Sequence, residues 1–261
     1  MSQPKVSLFL TTYNWPEALA LCLQSILNQS ILPDEVIVAD DGSKMSTQEV
    51  IEQFQKDFPC PLIHVWQKDK GFRINTIRNR AIQKASYPYI IQIDGDVILD
   101  PHFVEDHLKI ARENRFVAGR RLGISEEDSK QYCDTLKCPN LKASRSQLIA
   151  LLHQHILYNS KSVRGVRGCN MAYWKTDAER INGYDASWEG KGPDDKEFAI
   201  RLVHAGVKIF NLKYYAIQHH LYHGEEGLLD NYSKNQGLYA ETIANKNIVA
   251  KDGLKELMGR K

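Results

Sequence analysis

Tyr89-Ile90-Ile91-Gln92-Ile93-Asp94-Gly95-Asp96 is an apolar run that ends abruptly in two carboxylates separated by a glycine. A short run of this kind, bounded by Asp-Gly, reads as a buried strand. Alternation along an extended chain sends residues i and i+2 to the same side, so Asp94 and Asp96 are expected to project together from its carboxyl end. Gly95 between them leaves room for a ligand to approach the backbone. Hard oxygen ligands in this pattern suit Mg or Mn, which bind through one or two carboxylates and complete their shell with water and phosphate oxygens. The arrangement is a place to hold a divalent cation against a diphosphate. A plain surface turn is the competing reading, because Asp-Gly pairs mark turns as well.

Outward from this strand, the preceding chain alternates strands and helices. Val6–Leu10 reads as a strand, and Pro16 stands where a helix N1 proline would, leading into an amphipathic stretch from Glu17 to Asn28. Glu35–Ala39 is a second strand that ends in Asp40-Asp41-Gly42-Ser43. A helix from Thr47 to Phe58, a strand from Leu62 to Trp66 and a helix from Asn75 to Lys84 complete the series. The order β-α-β-α-β-α-β predicts an α/β fold with a mainly parallel central sheet, right-handed crossovers and flanking helices. Ligands of such sheets lie at the carboxyl ends of the strands near the switch in strand order. Thr11-Thr12-Tyr13-Asn14, Asp40-Asp41 and Asp94-Gly95-Asp96 are therefore expected at one common edge.

The second half differs. Helical spacing over Asp100–Asn114 and Lys142–Asn159 brackets a polar stretch, Ser125–Lys137, expected as a mobile loop. A helix is expected up to Ala205, then a strand near Val207–Leu212, then His219-His220-Leu221-Tyr222-His223 and a charged helical tail. No internal repeat or low-complexity segment appears. The expected organisation is one domain over 1–261, with a nucleotide-binding half over 1–99, an acceptor-binding and catalytic half over 100–223, and a tail over 224–261.

Composition narrows the classes. A chain of 261 residues is long enough to bury a substantial core. A net charge of +2 with 25% charged residues gives no polyanion bias, so nucleic acid is not an expected partner. Five cysteines at irregular spacings fit a reducing compartment. Cys133 and Cys138 lack the second ligand pair a zinc site needs. No apolar run approaches the ~20 residues of a membrane span. The expectation is a cytoplasmic protein, soluble or attached peripherally to the inner face of the membrane.

The ordered motifs Thr-Thr-Tyr-Asn, Asp-Asp-Gly-Ser, Asp-Gly-Asp, Gly168-Cys169-Asn170, Asn182-Gly183-Tyr184-Asp185 and Asp194-Asp195-Lys196-Glu197-Phe198 resemble family 2 glycosyltransferases of the GT-A fold. The similarity runs from Val6 to His223. Gly71–Ala81 and the Trp188–Phe198 block add a resemblance to chondroitin-polymerase-like and β1,4-galactosyltransferase-like domains, which are inverting enzymes using nucleotide sugars and Mn. One departure is Pro193-Asp194-Asp195 where those relatives carry Gly-Glu-Asp, so the first acid is one methylene shorter.

The resemblance implies roles that chemistry also supports. Transfer from a nucleotide sugar needs a base for the acceptor hydroxyl, a cation for the diphosphate and a pocket that orients the sugar. Asp195 is the expected base, beside Asp194, where proximity raises the pKa of one member of the pair. Both acids would also serve as helix caps. In resembling sequences a terminal His completes the Asp94/Asp96 metal site. The cluster points to His220 with His223 close behind, and His219 is not separated from them. Asp40 and Asp41 are expected to reach the uracil or ribose, or to build a turn. Gly71, Arg73, Arg78 and Asn79, around a helix start, would meet a diphosphate or donor sugar. Asn170 and Trp188 are expected at the sugar or acceptor, with packing beneath a loop as the other reading of the tryptophan.

The implied donor is UDP-Gal, UDP-GalNAc or UDP-GlcNAc, and the implied acceptor a surface glycan or lipid-linked hydroxyl. A sugar nucleotidyltransferase would need a glycine-rich loop after the first strand, and Thr11–Asn14 has no glycine. A catalytically silent carbohydrate-binding subunit would have no need of both metal acids and Asp195.

Overall fold

The computed structural model describes residues 3–157, 160–188, 190–224 and 232–259. Tyr158 and Asn159 at the end of one expected helix, Glu189 within the Trp188–Phe198 block, and the start of the expected tail at 225–231 lie outside the described residues.

The chain runs β1 (Val6–Thr12), α1 (Pro16–Leu27), β2 (Glu35–Asp40), α2 (Met45–Gln55), β3 (Leu62–Trp66), α3 (Ile74–Lys84), β4 (Tyr89–Asp94), β5 (Val97–Leu99) and α4 (Phe103–Ile110). It continues with β6 (Arg115–Ala118), β7 (Arg120–Gly123), α5 (Glu126–Thr135), α6 (Gln147–Leu157), β8 (Asn170–Trp174) and α7 (Lys175–Arg180). The last elements are α8 (Asp194–His204), β9 (Lys208–Asn211), β10 (Ile217–His220), α9 (Tyr232–Ala244) and α10 (Leu254–Met258).

A seven-stranded sheet has the order β3-β2-β1-β4-β8-β6-β9, and β5-β10-β7 form a smaller one. In the large sheet every pair is parallel except those of β8, which runs antiparallel to β4 and β6. The strand order switches between β1 and β4. There the register sets Thr12 beside Asp40 and Thr11 beside Asp94, so three sequence motifs meet at one edge.

Both faces of this sheet are covered. Leu8, Leu10, Ile91 and Ile93 pack with Leu19, Leu23 and Phe103 on one side. Phe9 and Ile90 alternate to the other, against Ile77, Tyr184, Phe198 and Leu202. Each such side chain contributes roughly 1.5–3 kcal/mol by leaving water.

Three expectations change. Ser125–Lys137 holds helix α5, started by Ser125, whose hydroxyl accepts from the Asp128 N–H at 3.1 Å, and by acids in the first turn. Its polar composition reflects a helix that buries one narrow face, through Ser129, Tyr132 and Cys133. The helix expected over 100–114 shortens to α4, because the Asp100 carboxylate accepts the His102 N–H in a turn and Ala111 leaves the helical conformation at a ψ of 121°. Strands β5, β6, β7 and β10 have three or four residues each, too few to carry a period-two signal.

Candidate active site

Asp94 closes β4, and Gly95-Asp96 turn before β5 begins. The turn breaks the alternation expected of one strand, and the two neighbouring carboxylates take different partners. Asp94 accepts from the Thr11 hydroxyl at 2.9 Å and faces Arg78 at 3.9 Å. Asp96 lies 3.3 Å from His220 Nε2 and 3.4 Å from His223 Nε2. One ligand atom from each of these three residues falls within 4.8 Å of the others, and Asp94 is outside that set. His219 turns to the opposite face of β10, as alternation requires, which separates it from His220.

The donor set fits a divalent cation. Asp96 Oδ1 is buried with no hydrogen-bond partner. His223 Nδ1 sits 3.0 Å from the Gly224 carbonyl, which can only accept, so in the neutral ring Nε2 presents a lone pair toward the Asp96 carboxylate. Two electron-rich atoms facing each other call for a proton or a metal between them. Burial alone would raise the Asp96 pKa, but the hydrogen bonds from His220 and His223 overcome it and hold the carboxyl below the usual range. Asp94 is raised, by burial first and the neighbouring Asp96 charge second.

The other centre is built on the first turn of α8. Asp195 Oδ2 accepts the Gly168 N–H at 2.9 Å and Oδ1 its neighbour's, Lys196, at 2.7 Å. Burial first, and then the charge of Asp194, push the Asp195 carboxyl up to about 6, with Arg78 opposing. Arg78 is almost wholly buried from α3. It pairs with Asp194, leans over the Tyr184 ring and reaches toward Asp94, so a single guanidinium joins the metal half of the site to the base half. Gly168 is required beside it: a Cβ there would stand 2.6 Å from Arg78 Nη2. The α8 scaffold is tied down by Arg201, which donates to both Glu197 carboxylate oxygens and to the Ile181 carbonyl inside the core.

Asp40 spends its oxygens on the chain itself. Oδ1 accepts from the Gly42 and Ser43 N–H groups, and Oδ2 meets His64 at 3.0 Å. Asp41 accepts from Gln67 at 2.5 Å and from the Arg73 N–H at 2.9 Å, bracing the loop that carries Gly71. The Arg73 side chain donates to the Lys68 carbonyl. Thr12 is buried beside Gly95, and Asn14 takes up a φ of 49° to accept the Lys44 N–H at 2.8 Å. Tyr13 is half exposed, its hydroxyl donating to Asp69 at 3.0 Å across from the open Gly71 turn.

The glycosyl transferase family 2 model matches residues 7–167, more than half of the chain. The chain belongs to glycosyl transferase family 2. A second model, described as the N-terminal domain of galactosyltransferase, matches residues 151–224, which hold the Gly168–Asn170 turn, the α8 acids and both cluster histidines. Among curated relatives, the chondroitin synthase of Escherichia coli is 28% identical over 225 residues, covering 77% of this chain and 32% of its own length. The chondroitin synthase of Pasteurella multocida strain Pm70 is 35% identical over 227 residues, covering 77% of this chain and 23% of its own. The chain thus spans a third or less of these relatives. The crystal structure of GalNAc-T7 with UDP, GalNAc and Mn2+ superposes with a TM-score of 0.69 at 13% identity, covering 92% of this chain and 48% of that one. The fold is GT-A.

Four family 2 positions singled out in the sequence turn inward. Asn79 exchanges a pair of 2.8 Å hydrogen bonds with the Tyr184 backbone and is fully buried. Asn170, buried, meets His107 at 3.0 Å through Oδ1 and donates both amide N–H groups, to the Arg120 and Ala216 carbonyls. Trp188 is packed beneath its loop against a small cavity shared with Glu197 and Arg201. The space where a Gly95 side chain would stand is filled by Thr11 and Thr12, 3.0–3.4 Å from a Cβ there. One residue was missed. Gln92, fully buried, donates to the Gly168 carbonyl at 2.9 Å and accepts from the Tyr173 and Tyr184 hydroxyls, holding the turn that in turn holds Asp195. A lone amide in an apolar strand was its only signal.

Proposed function

We propose that the chain is an inverting, metal-dependent glycosyltransferase that moves a hexose or N-acetylhexosamine from a UDP-sugar to a hydroxyl of a glycan or lipid-linked acceptor. Surface polysaccharide synthesis is the setting that its chondroitin synthase relatives support, and peripheral attachment at the inner face of the membrane is part of this proposal. The observation that carries the reading is Asp195, a buried carboxyl raised to about 6 and joined through Arg78 to the Asp94-Gly95-Asp96 turn.

Asp195 takes the proton of the acceptor hydroxyl as that oxygen attacks the anomeric carbon. A base with a pKa near the working pH combines the ionised form with useful proton affinity. The Gly168 and Lys196 N–H groups fix its direction. Arg78 pairs with Asp194 and offsets part of the charge that Asp194 sets against the base. Direct displacement on an α-linked donor gives a β product.

Asp96, His220 and His223 would hold the cation, which when bound neutralises charge on the leaving diphosphate. Two imidazoles in the set argue for Mn over Mg, which is usually held through oxygens and water. Tyr13 and the Gly71 turn form the open side on which the nucleotide is proposed to lie. A panel of UDP-Gal, UDP-GalNAc and UDP-GlcNAc with Mn, read by UDP release, tests the reading. No release with any donor and a glycan acceptor would defeat it.

A further inference from the structure

The surface outside the site carries one large unexplained feature. Helix α6 holds leucine, isoleucine or alanine at seven of its eleven positions and no Asp, Glu, Lys or Arg. Its inner face is accounted for: Ala150 is buried, and Gln154 donates to the Ile209 carbonyl and accepts the Asn211 N–H, tying the helix along β9. Its outer face is not. Leu148, Ile149 and Leu152 are 68%, 51% and 49% exposed and lie on one side of the helix. A helix that is apolar on its solvent side needs a cover.

The charge around it says what covers it. The strands and turn packed beside it, 115–120 and 208–214, hold four bases, Arg115, Arg120, Lys208 and Lys213, and no acid. Several of these bases stand against α6 itself. Ser146, just before the helix, donates its N–H to the Tyr214 carbonyl, and the Arg120 guanidinium lies over the Tyr214 ring. His155 packs on Phe210, whose other contact is the Arg115 guanidinium at 3.8 Å. Lys208 and Lys213 are exposed on the neighbouring strand and turn, and Arg145 pairs with Asp106. Arg115, Arg120, Lys208 and Lys213 thus stand on elements beside a helix that carries no carboxylate.

We infer that α6 is a membrane-docking helix, which lays Leu148, Ile149 and Leu152 into the boundary of an anionic lipid leaflet while the surrounding lysines and arginines meet the headgroups. An interfacial helix of this kind joins apolar insertion to electrostatic attraction. A second copy of the chain meets the apolar face but sets like charges against each other across a two-fold interface. An acidic polysaccharide meets the charges and leaves the leucines in water. The inference rests on the peripheral attachment proposed above and not on the transfer chemistry.

Cosedimentation with vesicles containing phosphatidylglycerol, against vesicles of phosphatidylcholine alone, is the test. The wild-type chain is expected to pellet with the anionic vesicles and to be released by salt. Leu148→Asp with Ile149→Asp should cut that binding by about tenfold or more. Lys208→Glu with Lys213→Glu should weaken it and flatten its salt dependence. Both positions in each pair are exposed, so melting temperature and UDP release should stay at wild-type values. Absence of wild-type binding to anionic vesicles overturns the inference. So does binding unchanged by the two aspartates, or retention on dextran sulfate without vesicle binding, which assigns the face to an acidic glycan. Vesicle binding without UDP release leaves it standing and removes the transfer reading; the reverse pattern does the opposite.

Discussion

Two sets of acids stand at the carboxyl edge of the same sheet and do different work. Asp40 and Asp41, after β2, give all four oxygens to neighbours in the chain: two N–H groups and His64 for one, Gln67 and the Arg73 N–H for the other. Asp96 keeps one buried oxygen without a partner and turns the other to two imidazoles. Asp195 is buried against a second carboxylate and holds its proton up to about 6. What separates them is the company each keeps: amide, N–H and imidazole partners around Asp40 and Asp41, a second carboxylate beside Asp195, and an unpartnered oxygen on Asp96.

This contrast can be broken in order of expected effect. Asp96→Ala, or chelation of divalent metal, should abolish metal-dependent UDP binding and transfer. Calorimetry giving the same UDP affinity with and without Mn would place the cation elsewhere. Arg78→Met should leave Asp94 and Asp194, both partly buried, without their ion-pair partner, at a cost of about 1–3 kcal/mol in stability. A melting temperature unmoved by that change would show that the two halves are not joined through this side chain. Asp40→Ala should cost about 1–3 kcal/mol by orphaning the Gly42 and Ser43 N–H groups, with turnover of the folded enzyme nearly kept. Turnover lost at full stability would instead give Asp40 a place at the nucleotide. His219→Ala should leave Mn affinity within a few-fold of wild type, whereas His223→Ala weakens it, as a titration with Mn would report.

The contrast also explains what the sequence disclosed. The β-α alternation, the strand ends and the order of motifs were all legible, because buried parallel strands are short apolar runs and their ends are marked by Gly and Asp. The roles of individual polar residues were less so. Asn79 and Asn170 sit in motif positions yet face the core, and only their partners, Tyr184, His107 and the carbonyls of Arg120 and Ala216, reveal it. Asp94 and Asp96 remain neighbours, but the turn after β4 gives them different partners, Thr11 and Arg78 for one and two histidines for the other. His219 and His220 were inseparable until β10 gave them opposite faces. Each of these turns on a local direction of the backbone, which spacing in the sequence does not specify.

The pH dependence of turnover, measured for the wild-type chain and for Asp195→Asn at saturating Mn and UDP-sugar, tests the central claim most directly. The account predicts that wild-type turnover rises with pH through about 6, since the Asp195 carboxyl is protonated and unable to accept a proton below that value and ionised above it. Asp195→Asn should bind UDP-sugar within a few-fold of wild type, lose about 10²- to 10⁴-fold in turnover and lose that limb of the profile. Asp195→Asn retaining turnover within a few-fold, with the same rise near pH 6, would contradict the assignment of Asp195 as the base.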